Sequence, residues 1–157
     1  MSWAEKYLAS GEDYGYVQLV GSSAAILMGR ATFDFEIESG VQGPRPLPTY
    51  VLTHIPELYA DIQDANIYFT GGDIRQVINL IALAHPGKLF VMGGANVVAQ
   101  LLEANLIDTI RLFVCPEELG QGIKAFTDDT AFNNFALTDE KQYESGIIEE
   151  IYQRVAI

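Results

Sequence analysis

Residues 25–33 read Ala25-Ile26-Leu27-Met28-Gly29-Arg30-Ala31-Thr32-Phe33, an apolar run that ends in glycine and passes into a helical pattern. An uninterrupted apolar run of this length is typical of a strand that is covered on both faces. The order of apolar run, turn and helix recurs along the chain. The same reasoning predicts further strands at residues 50–53, 66–70, 88–92 and 110–114.

Helical patterns lie between these strands. Asp73 is a suitable N-cap for a helix over residues 74–84, which His85-Pro86-Gly87 ends because proline cannot continue a helix. Residues 95–103 place their apolar side chains on one side and predict a second helix, and residues 12–20 predict another. Strands that alternate with helices predict an α/β fold with a largely parallel sheet.

The sequence predicts a loop in the middle of the chain and a pair of strands at its C-terminal end. Residues 38–48 hold two glycines and three prolines and predict a loop. Ala136-Leu137 and, after Ser145-Gly146, residues 147–155 predict two antiparallel strands joined by a turn. Because no linker interrupts the chain, we expect a single domain over residues 1–157.

The composition excludes several classes of protein. Hydrophobic residues make up 49% and charged residues 19% of the 157 residues, which excludes a disordered chain. Nine Lys and Arg face 21 Asp and Glu, and the net charge of −12 argues against nucleic-acid binding. No apolar run suits a membrane span and no signal pattern is present, so we expect a cytoplasmic protein. The single cysteine, Cys115, excludes an intramolecular disulfide, and with two His no metal site is expected.

Two glycine pairs, Gly71-Gly72 and Gly93-Gly94, follow predicted strands and predict two adjacent strand-turn-helix units. Gly93-Gly94 opens a helix, whose free N–H groups and positive dipole end suit a diphosphate. The alternative is a tight turn without a ligand. Asp73 follows the other pair, and its carboxylate competes with phosphate for the same N–H groups, so helix capping is the better interpretation there.

Arg30 and Thr32 lie where the first strand meets a helix. Arg30 offers a forked cation to a phosphate, and Thr32 offers a hydroxyl. The alternative is a surface arginine with Thr32 as a capping residue.

Five motifs then occur in a characteristic order. They are Leu27 to Phe33, Arg45-Pro46-Leu47-Pro48 with Tyr50 to Thr53, Val91 to Ala95, Leu106-Ile107-Asp108, and Cys115 to Gly122. Together they resemble the dihydrofolate reductase superfamily, and most closely the reductase domain of the bifunctional riboflavin-biosynthesis deaminase-reductase and its stand-alone bacterial relatives. The resemblance implies a mixed, mostly parallel sheet flanked by helices, with a C-terminal antiparallel strand pair, that binds NADPH across its strand ends.

The resemblance also implies which residues hold the cofactor. Its phosphates would lie at one helix start on Gly29, Arg30 and Thr32, and its diphosphate at another on Gly93, Gly94, Ala95 and Asn96. Thr53 and His54 follow the strand that, in relatives, ends beside the adenosine 2′-phosphate. His54 would pair with that phosphate, or is a solvated loop histidine.

Asp13 is the candidate catalytic residue. It lies sixteen residues before Gly29, the spacing of the acidic residue that orients the pterin in dihydrofolate reductases. A carboxylate bound to the N–H edge of a heterocycle fixes its orientation and helps to relay a proton. The alternative is that Asp13 merely heads a helix. For Cys115, which precedes Pro116, a buried structural thiol is the expected state.

The resemblance implies an NADPH-dependent reductase that transfers hydride to a small heterocyclic substrate, similar to 5-amino-6-(5-phosphoribosylamino)uracil reductase. Relatives begin with an apolar strand in the middle of the sheet. We expect that this sequence is N-terminally truncated relative to them, or that another segment or a partner chain takes the place of that strand. The alternative is therefore a catalytically impaired nucleotide-binding or assembly protein of the same fold. A missing central strand leaves backbone groups to satisfy, so a homodimer is expected, with a surface near residues 110–114 and 147–152.

Overall fold

A computed structural model describes residues 6–7, 11–40, 45–122, 125–126 and 133–155 of the chain. These residues belong to two compact units. The parallel unit comprises residues 17–106, and the antiparallel unit comprises residues 1–16 and 107–157.

A four-stranded parallel sheet forms the centre of the parallel unit. Its strands are β1 (Ala25–Gly29), β2 (Thr49–Leu52), β3 (Ile67–Thr70) and β4 (Leu89–Val91). Their order across the sheet is β3-β2-β1-β4, and each neighbouring pair is parallel. All five residues of β1 are buried, as the apolar run predicts for a strand covered on both faces.

Helices connect and flank these strands. They are α1 (Tyr16–Gly21), α2 (Arg30–Glu38), α3 (Ile74–Ala84) and α4 (Ala95–Glu103), with a 3₁₀ helix at Pro56–Tyr59. Helix α3 begins as predicted, because the Asp73 carboxylate accepts hydrogen bonds from the backbone N–H groups of Arg75 at 3.0 Å and Gln76 at 3.2 Å.

The core of the parallel unit lies where α2 meets the sheet. Phe33 of α2 is 1% exposed and packs with buried residues of β1 and β2. Arg45 and Glu36 form an ion pair of 2.6 Å with both side chains largely buried, which ties the segment before β2 to α2. Helix α2 is thereby held against the strand end from which it starts.

Three antiparallel strands form the antiparallel unit. They are β5 (Thr109–Val114), β6 (Phe135–Gln142) and β7 (Ile148–Arg154), in the order β5-β7-β6. A register shift between Leu137 and Asp139 marks a bulge in β6, most of which is exposed and polar. The predicted C-terminal strand pair is confirmed as β6 and β7.

Several sequence-based expectations differ from the structure. The run at residues 110–114 belongs to an antiparallel, partly exposed strand, so its apolar character did not signal a parallel strand buried on both faces. The helix predicted over residues 12–20 begins only at Tyr16, because Tyr14 and Gly15 adopt positive φ angles. The two glycine units follow one another along the chain, as predicted, and their strands β3 and β4 lie at opposite edges of the parallel sheet. The central part of the predicted loop, residues 41–44, lies outside the described residues.

Within the described part of the chain, no helix has the length and apolar character required to cross a membrane.

Candidate nucleotide site

The carboxyl ends of the four parallel strands meet at one edge of the sheet. Ligands of open α/β sheets bind in the crevice outside this edge. The segments that follow β1, β2, β3 and β4 here begin at Arg30, Thr53, Gly71 and Met92. Most of the predicted cofactor residues therefore share one edge of the parallel unit.

The glycines after β1 and β4 are in direct contact. The N–H of Gly29 donates a hydrogen bond of 3.2 Å to the carbonyl of Gly93. A Cβ on Gly29 would lie 3.0 Å from Cγ2 of Val97, and a Cβ on Gly94 would lie 3.4 Å from Oγ1 of Thr32. The fold thus brings together the two glycine turns, which are more than sixty residues apart along the sequence.

Two helices start at this contact with backbone N–H groups that no side chain caps among the described residues. The N-cap of α2 is Gly29 and that of α4 is Gly94, and neither helix has a side-chain cap. Gly94 has φ 53° and ψ 137°, a conformation that residues with a Cβ avoid. Two adjacent positive helix ends form a favourable seat for a diphosphate. By contrast, Asp73 occupies the start of α3, as predicted.

Arg30 and Thr32 belong to the first turn of α2. Thr32 does not cap the helix, because Gly29 is the N-cap, so the capping alternative for Thr32 is wrong. Its hydroxyl faces Gly94 instead. Arg30 is half-exposed, and its Nε lies 4.0 Å from Oδ2 of Asp34 one turn along the helix. That distance is at the limit of an ion pair.

Ala95 and Asn96 form the first turn of α4. The side-chain oxygen of Asn96 accepts a hydrogen bond of 2.6 Å from Nε2 of Gln100, one turn along the helix. The carboxamide is therefore oriented along α4, and the backbone N–H groups are what these two residues offer to an anion.

Thr53 and His54 form the turn after β2. Thr53 is 5% exposed, and its Oγ1 accepts a hydrogen bond of 3.2 Å from the N–H of Ile55. His54 is exposed. Gly71 packs against this turn so closely that a Cβ there would lie 2.3 Å from the carbonyl oxygen of Thr53. Thr53 is thus a structural member of the turn that presents His54.

Asp13 lies in the antiparallel unit, where it forms a tight turn. Its Oδ1 accepts a hydrogen bond of 3.0 Å from the N–H of Gly15, and its carbonyl accepts one of 2.8 Å from the N–H of Tyr16. Tyr14 between them has φ 48°, which costs of the order of 1 kcal/mol for a residue with a side chain. Asp13 is exposed and precedes the helix rather than heading it.

A buried charge network lies beneath this turn. Arg111 donates from Nε to Oε1 of Glu149 at 2.5 Å, and the Tyr143 hydroxyl donates to Oε2 at 2.7 Å. Burial, followed by the hydrogen bond to Glu149, raises the pKa of Tyr143 to about 12. A Cβ on Gly15 would lie 2.9 Å from Nη2 of Arg111, so the turn rests directly on the guanidinium.

Cys115 is free and only partly buried, whereas the sequence predicts a buried thiol. Burial, and then the charge of Glu117, raise the pKa of Cys115, which opposes formation of a reactive thiolate. The described residues contain no group of three or more His, Cys, Asp or Glu side chains placed to hold a metal ion.

Sequence reasoning missed three residues around this edge. Asp34 was detectable, since it lies four residues after Arg30 on a helix. The other two residues carry no such local signal, because only tertiary folding brings them to this edge. The hydroxyl of Tyr59 donates a hydrogen bond of 2.6 Å to Oδ1 of Asp34, and Gly71 contacts Thr53.

A four-stranded parallel sheet flanked by helices, together with a separate three-stranded antiparallel sheet, defines a mixed α/β protein. A model of the RibD C-terminal domain family matches residues 2–148. The chain belongs to this family, as the sequence motifs indicated.

Individual relatives agree with this assignment. The chain is 24% identical over 149 residues to the uncharacterized protein YyaP of Bacillus subtilis, covering 89% of this chain and 79% of YyaP. A putative riboflavin biosynthesis protein from Shewanella sp. PV-4 has a TM-score of 0.78 and 22% identity, covering 94% of this chain and 82% of that one. A deaminase/5-amino-6-(5-phosphoribosylamino)uracil reductase from Thermotoga maritima has a TM-score of 0.72 and 11% identity, covering 90% of this chain and 48% of that longer one. Likeness at these identities establishes the fold.

Proposed function

We propose that the chain is a reductase that binds NADPH at the carboxyl edge of its parallel sheet and transfers hydride to a small heterocyclic substrate. The reaction would be similar to that of 5-amino-6-(5-phosphoribosylamino)uracil reductase, the activity named for the Thermotoga maritima protein of the same fold. Membership of the RibD C-terminal domain family supports the proposal.

The observation that carries the proposal is the contact between the starts of α2 and α4. Gly29 and Gly93 are hydrogen bonded, and Gly94 lies against Thr32, so two uncapped helix starts are side by side. In a chain of net charge −12, an anion needs such a local concentration of N–H groups and positive dipole ends.

The residues at this edge suit a dinucleotide phosphate. Backbone N–H groups after Gly29 and Gly94 would hold the diphosphate, and the absence of a Cβ at Gly94 keeps the space beside Thr32 open. Arg30 supplies positive charge for a further phosphate, and the exposed His54 supplies a ring N–H donor, which favours NADPH over NADH. The nicotinamide, when bound, supplies the hydride.

Asp13 keeps its predicted role in this proposal, which is to orient the heterocycle through its N–H edge. The turn of Asp13 to Gly15 rests on Arg111, whose guanidinium is held in place by Glu149. This support keeps the carboxylate-bearing turn in one conformation, which is what an orienting group requires.

Calorimetric titration of the purified protein with NADPH and NADH tests the proposal. We expect NADPH to bind more tightly than NADH. Arg30→Ala should weaken NADPH binding by about 1–3 kcal/mol, because a charge-assisted hydrogen bond is lost. Lys88→Ala is the matched control, since Lys88 is an exposed cation that precedes β4 and so lies at the amino edge of the sheet.

Equal losses in the two variants would show that Arg30 acts only through net charge and is not part of the site. If neither nucleotide binds to the folded wild-type protein, the proposed function is wrong.

A further inference from the structure

Arg30 is only loosely paired with its neighbour on α2. The Nε of Arg30 and Oδ2 of Asp34 are 4.0 Å apart, and the two side chains are 47% and 38% exposed. An exposed pair at this separation contributes little attraction, because water screens it. A carboxylate that turned toward Arg30 would instead form two parallel hydrogen bonds with its guanidinium and compete directly with a phosphate.

Tyr59 holds the other oxygen of the same carboxylate. Its hydroxyl donates a hydrogen bond of 2.6 Å to Oδ1 of Asp34, across 25 residues of sequence. The hydrogen bond occupies Oδ1 and restrains the carboxylate, whose Oδ2 lies 4.0 Å from Nε of Arg30.

The ring of Tyr59 is fixed by two aromatic neighbours. It stacks on Phe69 at a centroid distance of 4.5 Å and an interplanar angle of 4°. The ring of Phe33 meets it edge-on at 5.7 Å. Because Phe33 is 1% exposed, Tyr59 is anchored to the core, and its hydroxyl is a rigid donor rather than a mobile surface group.

We propose that Tyr59 is a positioning residue for the nucleotide site, which restrains the Asp34 carboxylate and so keeps the Arg30 guanidinium available to a phosphate. This inference rests on the proposed function. Tyr59 belongs to the 3₁₀ helix after β2, which no sequence motif singled out. According to the inference, this helix determines how strongly Asp34 competes with a phosphate for Arg30.

The electrostatics around the hydroxyl support a close association of the three side chains. Burial, and then the hydrogen bond and charge of Asp34, raise the pKa of Tyr59 to about 12, and the nearby Arg30 opposes this rise. Tyr59 therefore remains a neutral hydrogen-bond donor over the whole physiological pH range.

Binding of NADPH to Tyr59→Phe, Asp34→Asn and the double variant tests the inference. Tyr59→Phe keeps both ring contacts and removes only the hydroxyl. We expect it to weaken NADPH binding by about two- to five-fold, the scale of one exposed ion pair gained by Arg30. In the Asp34→Asn background the same substitution should have no effect, because no carboxylate is left to restrain. Tyr68→Phe on β3, whose ring stacks on Tyr50, is the matched control and should bind NADPH as the wild type does.

A second measurement needs no cofactor. The side-chain Nε–H of Arg30, followed by nuclear magnetic resonance, should exchange with water more slowly in Tyr59→Phe than in the wild type, because the released carboxylate pairs with it. An unchanged exchange rate of the Arg30 Nε–H overturns the inference. A loss of NADPH affinity that persists when Tyr59→Phe is made in the Asp34→Asn background also overturns it, because altered packing alone would then explain that loss.

The two measurements separate the two claims. If NADPH fails to bind to the wild-type protein, the proposed function is wrong. The role of Tyr59 in nucleotide binding is then also wrong, whatever the Arg30 signal shows. If NADPH binds and its affinity depends on Arg30 but not on Tyr59, only the inference about Tyr59 is overturned.

Discussion

Gly71→Ala should destabilise the protein far more than its exposed position at the end of β3 suggests. The new Cβ would lie 2.3 Å from the carbonyl oxygen and 3.3 Å from the carbonyl carbon of Thr53. The contact is more than about 1 Å too short for ordinary van der Waals separation. The obstructing atoms belong to the backbone, so no side-chain rotation relieves the overlap.

The expected cost follows from what has to move. The N–H of Thr53 donates a hydrogen bond of 2.8 Å to the carbonyl of Thr70, so the turn is tied to the strand that carries Gly71. Relief of the overlap requires strain in both segments, at about 1–3 kcal/mol, and weakens this hydrogen bond, at about 1 kcal/mol. We therefore expect a loss of about 2–4 kcal/mol, which lowers the melting temperature of a chain of this length by roughly 5–15 °C.

Urea denaturation followed by circular dichroism measures the loss. Gly122→Ala is the control, because a Cβ at Gly122 meets nothing within 4 Å and should change the stability by less than about 0.5 kcal/mol. The same variants should be titrated with NADPH and NADH, since displacement of the His54 turn should bring the two affinities closer together. If Gly71→Ala were as stable as Gly122→Ala, the close packing of Gly71 on Thr53 would be refuted.

Three further outcomes are expected. Arg111→Ala should cost about 3–5 kcal/mol in unfolding free energy, because it leaves the 3%-exposed Glu149 without its cation; a loss below about 1 kcal/mol would mean that water already reaches this carboxylate. Raising the pH from 10 toward 12 should lower thermal stability. In the folded protein the pKa of both Tyr143 and Tyr59 is raised to about 12 from the usual 10.0. The stability that the two neutral hydroxyls contribute is therefore complete below pH 10 and is lost as the pH approaches 12. Tyr143→Phe should flatten that decline, and an equally steep decline would exclude Tyr143 as its source. Sedimentation equilibrium should show a homodimer that strengthens with added salt, since salt screens the repulsion between chains of net charge −12, and a monomer at high salt would contradict the proposed assembly.

Elements that depend on neighbouring residues were predictable from the sequence. Helix α3 begins after its Asp73 cap, and α4 has the predicted bounds Ala95–Glu103, because capping and apolar periodicity act within a few turns. The buried strand β1 also follows from its uninterrupted apolar run. The five motifs, taken together in their order along the chain, indicated the family.

The direction and exposure of β5 were not predictable in this way. Its residues Ile110 to Val114 are apolar apart from Arg111, yet the strand pairs antiparallel with β7, and Phe113 and Val114 are 38% and 42% exposed. An apolar run indicates that a segment forms a strand, but the strand with which it pairs and the direction of that pairing depend here on residues near the C-terminus. The same limit explains why Tyr59 carried no signal, since its contact with Asp34 exists only once β2 lies beside β1.

Local chemistry along the chain decided where strands and helices begin, which helix is capped by a carboxylate, and which two helices start on glycine. The tertiary structure decided the order β3-β2-β1-β4, and with it the contact between Gly29 and Gly93. The reason is physical: capping and periodicity involve residues within a few positions of one another. Strand order is set instead by burying both faces of β1 and completing backbone hydrogen bonds between strands that are distant in sequence. A single glycine turn is common to many folds, and only the pairing of β1 with β4 brings two of them into contact in this protein.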